Sequence, residues 1–321
     1  MGSGKWSTNV YDEHARYKAA AGMSTFDYSD NLHRAGRSAW RVHDSLNPHG
    51  VRMRESRDSD EHPQSTAIAI TFDVTGSMLG IPVTLQQKLP ELLGLLLRKE
   101  YVPQPQILFG AIGDATCDRV PLQIGQFESD NRMDENLENI FLEGGGGGQR
   151  TESYELAMYF FARHTDIDCW NVRRQKGYLF LIGDEMAYPR VKHREVGALI
   201  RDGLECDLPT EAIVRELRER YHVFYILPRS ASYGGDPQIL GFWRQLLGEH
   251  VLELDDPTAV CETIALAIGL LEGRVDLQSG TDDLRDLGVD RATRRTVSTA
   301  LAALPASLAR VRSAGSALPG L

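Results

Sequence analysis

Three sequence-distant segments carry the side-chain oxygens that could do chemistry: Asp73, Thr75 and Ser77 in one short turn, Thr151 after five consecutive glycines, and Asp184 after an apolar run. Carboxylates and hydroxyls without histidine or cysteine suit a hard cation, Mg2+ first with Mn2+ or Ca2+ as alternatives, rather than zinc. Mg2+ takes octahedral oxygen geometry and keeps part of its water, so few direct protein ligands suffice. The D-x-T-x-S spacing fits a loop whose alternate side chains turn inward, Asp73 balancing charge while Thr75 and Ser77 present hydroxyls. One coordination position would then stay open. The same residues also fit an Asx-type turn in which Asp73 caps the following helix.

The elements that must position these residues alternate. The run Ala67-Ile68-Ala69-Ile70-Thr71-Phe72 is short, continuous and rich in β-branched residues, as expected of a strand covered on both faces of a parallel sheet. Ligands of such sheets sit beyond the carboxyl ends of the strands, where Asp73 falls. Leucines at 85, 89, 92, 93 and 96 then mark a helix starting at Pro82, with a kink or break expected at Pro90. Gln106 to Ile112 and Val120 to Phe127 read as a hairpin at one sheet edge, and Asn131 to Glu143 as a polar stretch leading into Gly144 to Gly148. Helices over 153–164, 210–221, 238–247 and 257–271 interleave with strands over 177–182, 222–227 and 250–254. The fold class expected is α/β: three layers, a mostly parallel six-stranded sheet with one antiparallel edge strand, and helices on both faces.

Three regions follow: a polar, partly helical and loosely ordered arm over 1–65, the α/β domain over 66–273, and an Ala-, Leu- and Arg-rich helical tail over 274–321. In the tail Val297, Leu301, Leu304, Leu308 and Val311 recur at helical spacing, consistent with a short helical hairpin packed on the core or on a partner. Five of the nine histidines lie in the arm without metal-ligand spacing and read as solvent-exposed. The four cysteines are scattered singly and read as reduced thiols.

With 42% apolar and 25% charged residues among 321, the chain can bury a sizeable core. A net charge of −10 argues against general affinity for nucleic-acid phosphates or anionic lipid, both of which need a basic field. No stretch reaches the roughly 18 apolar residues that span a bilayer, and the expected location is the cytoplasm.

Asp73-Val74-Thr75-Gly76-Ser77 resembles the D-x-[ST]-x-S motif of von Willebrand factor A domains, the metal-ion-dependent adhesion site. The glycine-rich approach to Thr151-Glu152-Ser153 is similar to that family's G-G-T-x-T, and Ile182-Gly183-Asp184-Glu185 to its strand-ending T-D-G. The resemblance covers about 66–271. Thr75 stands for the commoner Ser, Gly183 and Glu185 flank Asp184 in place of Thr and Gly, and Ser153 could take the role matched to Thr151. It implies a Rossmann-like fold, a metal site at Asp73, Thr75, Ser77, Thr151 and Asp184, and an intracellular bacterial protein that binds rather than breaks bonds. On that reading bound Mg2+ accepts an Asp or Glu of a protein partner at its vacant position.

Two other readings stay open. Asp73-Val74-Thr75-Gly76-Ser77 also resembles the D-x-T-G-T loop of haloacid-dehalogenase-type phosphotransferases, with Asp73 as nucleophile beside Mg2+, although no further Asp follows Asp184 closely. An RNA-associated von Willebrand A protein is the other, and it would require a basic patch on the arm. Asp114 and Asp118 read as turn residues of the hairpin, Asp114 with a reserve place in the metal's outer shell.

Overall fold

The computed structural model describes residues 4–78, 80–145 and 148–304, with the Ser77 side chain excluded. Six strands form the central sheet: β1 (Ser65–Asp73), β2 (Gln104–Ile112), β3 (Leu122–Ile124), β4 (Gly177–Ile182), β5 (Tyr221–Pro228) and β6 (Val251–Leu254), in the order β6-β5-β4-β1-β2-β3. All pairs are parallel except the β2–β3 hairpin at the edge. This is a Rossmann-like α/β sheet with helices on both faces.

The chain runs outward from β1 to β2 on one side and then returns to place β4 on the other, so the strand order reverses between β1 and β4. A crevice opens at such a switch point, at the carboxyl ends of the two strands. Register brings the site residues to it. Phe72 pairs with Ile182 and Asp73 with Ile112, which sets Asp73, Gly183-Asp184 and Gly113-Asp114 on one rim.

Alternation along β1 divides the core. Ile68, Ile70 and Phe72 face one layer, with the helices Gly80–Gln87, Leu89–Arg98 and Val260–Leu271. Ala67 and Ala69 face the other. Their small side chains leave room for the large residues of the helix Tyr154–Arg163, where Tyr154, Tyr159, Phe160 and Phe161 are fully buried. Each such aromatic or leucine contributes about 1.5–3 kcal/mol through loss of water contact. The break expected near Pro90 falls at Lys88: one helix ends at Gln87, the next starts at Leu89, and Pro90 sits in its first turn where no backbone donor is needed.

Two expectations need correcting. The polar stretch 131–143 contains a helix, Arg132–Glu138, that buries Met133 and Leu137. Two apolar residues four apart give too little periodicity to announce it. The N-terminal arm is anchored rather than loose. Arg54–Ser56 pairs in parallel with Thr165–Ile167, and Arg57 binds Glu55, Asp166 and Asp168 at 2.7, 2.5 and 2.9 Å. Phe26, Leu32 and Leu46 are buried.

Beyond the sheet, helices Leu277–Asp286 and Arg291–Leu301 pack on the core through Leu284, Val297, Leu301 and Leu304. Leu308 and Val311 lie outside the described residues. No described helix is long and apolar enough to cross a membrane.

Candidate metal centre

Asp73 ends β1 fully buried. Its Oδ1 accepts the Thr75 amide at 2.6 Å, the Asx turn anticipated for it, while its Oδ2 accepts the Tyr154 hydroxyl at 3.2 Å. Backbone bonds lock the glycine run against this turn: Gly144 N donates to Val74 O at 3.1 Å and Gly76 N to Gly145 O at 3.1 Å. Asp184, just past β4, is buried, and its Oδ2 accepts the Tyr233 amide at 3.0 Å.

A two-residue parallel ladder joins the other loops. Thr151 pairs with Met186 and Glu152 with Ala187, so the segment after the glycines lies alongside the one after Asp184. Ser153 fixes that segment to the hairpin loop, accepting the Ala115 amide on Oγ at 3.0 Å and donating its own amide to Gly113 O at 3.3 Å. It makes no side-chain cap for the helix behind it.

The structure therefore brings Asp73, Thr75 and Asp184 to one place. Thr151 is half-buried, at the start of the ladder strand, near Tyr188, whose hydroxyl donates to Asp114 Oδ2 at 3.0 Å. The Ser77 side chain lies outside the described residues. Asp114 is a turn residue, its Oδ1 accepting the Thr116 amide at 2.7 Å, yet it also faces this rim.

Two further carboxylates belong to the rim that sequence reasoning did not assign to it. Glu152 is 1% and Glu185 7% exposed, and the Oε2 of each has no hydrogen-bond partner among the described residues. No Lys, Arg or His pairs with Asp73, Glu152 or Glu185 among the described residues. Burial raises the affinity of Asp73 for its proton, opposed by the Thr75 bonds and reinforced by the charge of Asp184. Burial and then Asp73 push Glu152 upward, and burial with Asp73 and Asp184 pushes Glu185 up to about 8. Buried carboxylates in this number need a compensating cation or protons. An oxygen-only donor set with orphaned carboxylate oxygens fits a hard divalent ion.

Gly183, a departure from the adhesion-site pattern, has a steric reason. A Cβ there would come within 1.7 Å of the Tyr154 hydroxyl that reaches Asp73. Beneath the rim Tyr154 meets Trp243 edge-on at 5.4 Å, and Trp243 stacks on Tyr225 at 3.9 Å. Both Trp243 Nε1 and Tyr225 OH donate to the Glu185 carbonyl, at 2.8 and 2.9 Å. Aromatic packing thereby fixes the backbone that carries Asp184 and Glu185.

The arm histidines, read as solvent-exposed, are not all so: His62 is buried, its Nε2 2.8 Å from Gly4 O, and His14 is half-buried beside two carboxylates. His14 lies 3.9 Å from Asp134 and 3.8 Å from Glu138, and the ligand atoms of the three fall within 4.8 Å of one another. Lys18 already sits 2.5 Å from Glu138, so a cation serves these carboxylates without a metal.

No known sequence-family profile matches the chain, and no curated protein matches it. Among solved structures it is similar to the pilus adhesin SpaC from Lactobacillus rhamnosus GG in its open conformation, at 8% identity and TM-score 0.46, over 67% of this chain and 31% of the adhesin. A second crystal form of the same adhesin gives 9% identity and TM-score 0.42 over the same shares of the two chains. The chain thus spans about a third of the adhesin's length. A likeness this loose carries no functional inference.

Proposed function

We propose that the chain is a von Willebrand A-type binding module, whose rim holds a divalent metal ion through Asp73, Thr75, Ser77, Thr151 and Asp184 and through it an acidic side chain of a protein partner. The observation that carries this reading is the pair of buried carboxylates, Asp73 and Asp184, on either side of the sheet's switch point. When bound, the ion supplies charge neutralisation and a site for an incoming carboxylate. The chain's own part is to hold the oxygens still. The Thr75 amide and the Tyr154 hydroxyl orient Asp73, and the Tyr233 amide orients Asp184.

The phosphotransferase reading assigns Asp73 as the attacking carboxylate beside Mg2+ and is separated from binding by the turnover test below.

Immobilised protein exposed to lysate in Mg2+ should retain partners that EDTA releases and that the Asp73→Asn variant fails to hold. Changing the partner's contacting Asp or Glu to its amide should also release it. Retention that survives both EDTA and the Asp73 change would contradict the metal bridge, and Asp73-dependent turnover of an acyl phosphate would replace binding with catalysis.

A further inference from the structure

We propose that His14, Asp134 and Glu138 form a Zn2+ site that shares no residue with the rim and fastens the N-terminal helix to the α/β domain. It stands or falls independently of the rim's own ion.

The helix Thr8–Ala20 buries none of its residues, so apolar packing does little to hold it. Tyr11, His14 and Lys18, at i, i+3 and i+7, share the face that meets the domain. Tyr11 OH donates to Gln86 O at 2.8 Å, and Lys18 Nζ reaches Glu138. Between them His14 stands over two carboxylates, Asp134 and Glu138, one turn apart on the helix Arg132–Glu138 and only 3% and 6% exposed.

Their spacing is that of ligands around an ion rather than of groups in contact. His14 Nδ1 lies 3.9 Å from Asp134 Oδ2 and 3.8 Å from Glu138 Oε2, too far for a hydrogen bond to either. One ligand atom of each residue falls within 4.8 Å of the other two. Around a tetrahedral Zn2+, with bonds of about 2.0–2.2 Å, neighbouring ligands sit roughly 3.3–3.6 Å apart, which small side-chain rotations reach from here. Asp134 is already braced, its Oδ1 accepting Gln86 Nε2 at 3.3 Å while Oδ2 faces His14. An imidazole joined to two carboxylates suits Zn2+ better than Mg2+, which prefers oxygen alone. Three protein ligands leave the fourth tetrahedral position to water. His14 and Glu138 also line an open cleft of about 430 Å3, with Lys18, Asp27, Tyr28 and Asn31, through which ion and water have access.

Lys18 is the ion's competitor. Its Nζ lies 2.5 Å from Glu138 Oε2 and 3.0 Å from Thr25 O. Without metal it serves Glu138, yet one ammonium does not balance two buried carboxylates. Zn2+ takes its place on Oε2, and Thr25 O remains as the lysine's partner.

The test is calorimetric titration of the full chain with Zn2+ in excess Mg2+, with amide hydrogen exchange read over residues 8–20. The unaltered chain should bind Zn2+, and binding should slow exchange across that helix. His14→Ala and Glu138→Gln should weaken Zn2+ by at least about 100-fold, the upper end for a group that merely orients a ligand. Asp73→Asn should leave this Zn2+ in place, which separates the site from the rim. Lys18→Met should bind Zn2+ about tenfold or more tighter, the worth of a hydrogen bond to a charged group, and a variant that only loosened the helix could not do so. Absence of Zn2+ uptake, or Zn2+ lost in Asp73→Asn and kept in folded His14→Ala, would overturn the site. Weaker Zn2+ binding by Lys18→Met would overturn the displacement.

Discussion

Replacing Asp73 with Asn is expected to weaken Mn2+ binding at the switch-point site by at least about 100-fold, since even a group that only orients a metal ligand commonly counts for 10–100-fold. The amide keeps the size of the carboxylate and can still accept the Thr75 amide on Oδ1, so the turn survives and only the charge is lost. Stability should move the other way in metal-free protein. A carboxyl whose folded-state proton affinity is raised holds its proton where the unfolded chain has already released it. Its contribution to stability is therefore present at low pH and disappears as pH rises from near 4 through its folded value, which lies near 7 for Asp73. Metal-free Asp73→Asn should accordingly lose less melting temperature than the unaltered chain between pH 5 and pH 8. The half-buried histidines His222 and His250, whose proton affinity desolvation lowers, act in the opposite sense toward acid. They are common to both proteins and cancel in the difference. Calorimetric titration with Mn2+ and thermal melts at matched pH check both parts. Unchanged Mn2+ affinity would remove Asp73 from the site.

Trp243→Ala should be the most damaging single change to the fold beneath the site. The indole is fully buried, and truncating a buried aromatic costs about 3–5 kcal/mol through lost transfer energy and the cavity left behind. Here the ring also stacks on Tyr225 and supports Tyr154 edge-on, and its Nε1 supplies one of the two donors to the Glu185 carbonyl. Freed from that support, the loop carrying Asp184 and Glu185 should sample more conformations. Cation affinity should fall even where the variant remains folded. Urea unfolding measures the first effect, and Mn2+ titration under folding conditions the second. A loss under about 1 kcal/mol would mean that the aromatic layer is not what supports the rim.

Much of this architecture was legible in the sequence because its signals are local. The unbroken apolar run before Asp73 marked a doubly covered strand, and Pro90 marked the helix break that falls at Lys88. Val297, Leu301 and Leu304 announced a helix, and the structure packs it on the core rather than leaving it for a partner. Asp73 and Asp184 were readable as rim residues since each follows directly on such a strand.

Other features depend on tertiary contacts that leave no period in the chain. Glu152 and Glu185 join the rim through a ladder of two residue pairs, too short to show alternation. Glu152 looked like an added charge beside Thr151, whereas folding buries it where it feels the charge of Asp73. Gly183 looked like a mere departure from a pattern until Tyr154, from a different layer, was found filling the space above it. His14 meets carboxylates 120 and 124 positions away, a proximity that no spacing rule contains. The arm's strand, Arg54–Ser56, is visible only with its partner Thr165–Ile167 beside it.

A crystal grown with saturating Mn2+, with diffraction recorded at the manganese absorption edge, tests the account most directly. The account predicts an anomalous peak between the Asp73 turn and Asp184, within coordinating distance of the Thr75 hydroxyl. Saturating Mn2+ with no peak there, and with the Asp73 and Asp184 carboxylates turned away from each other, would contradict it.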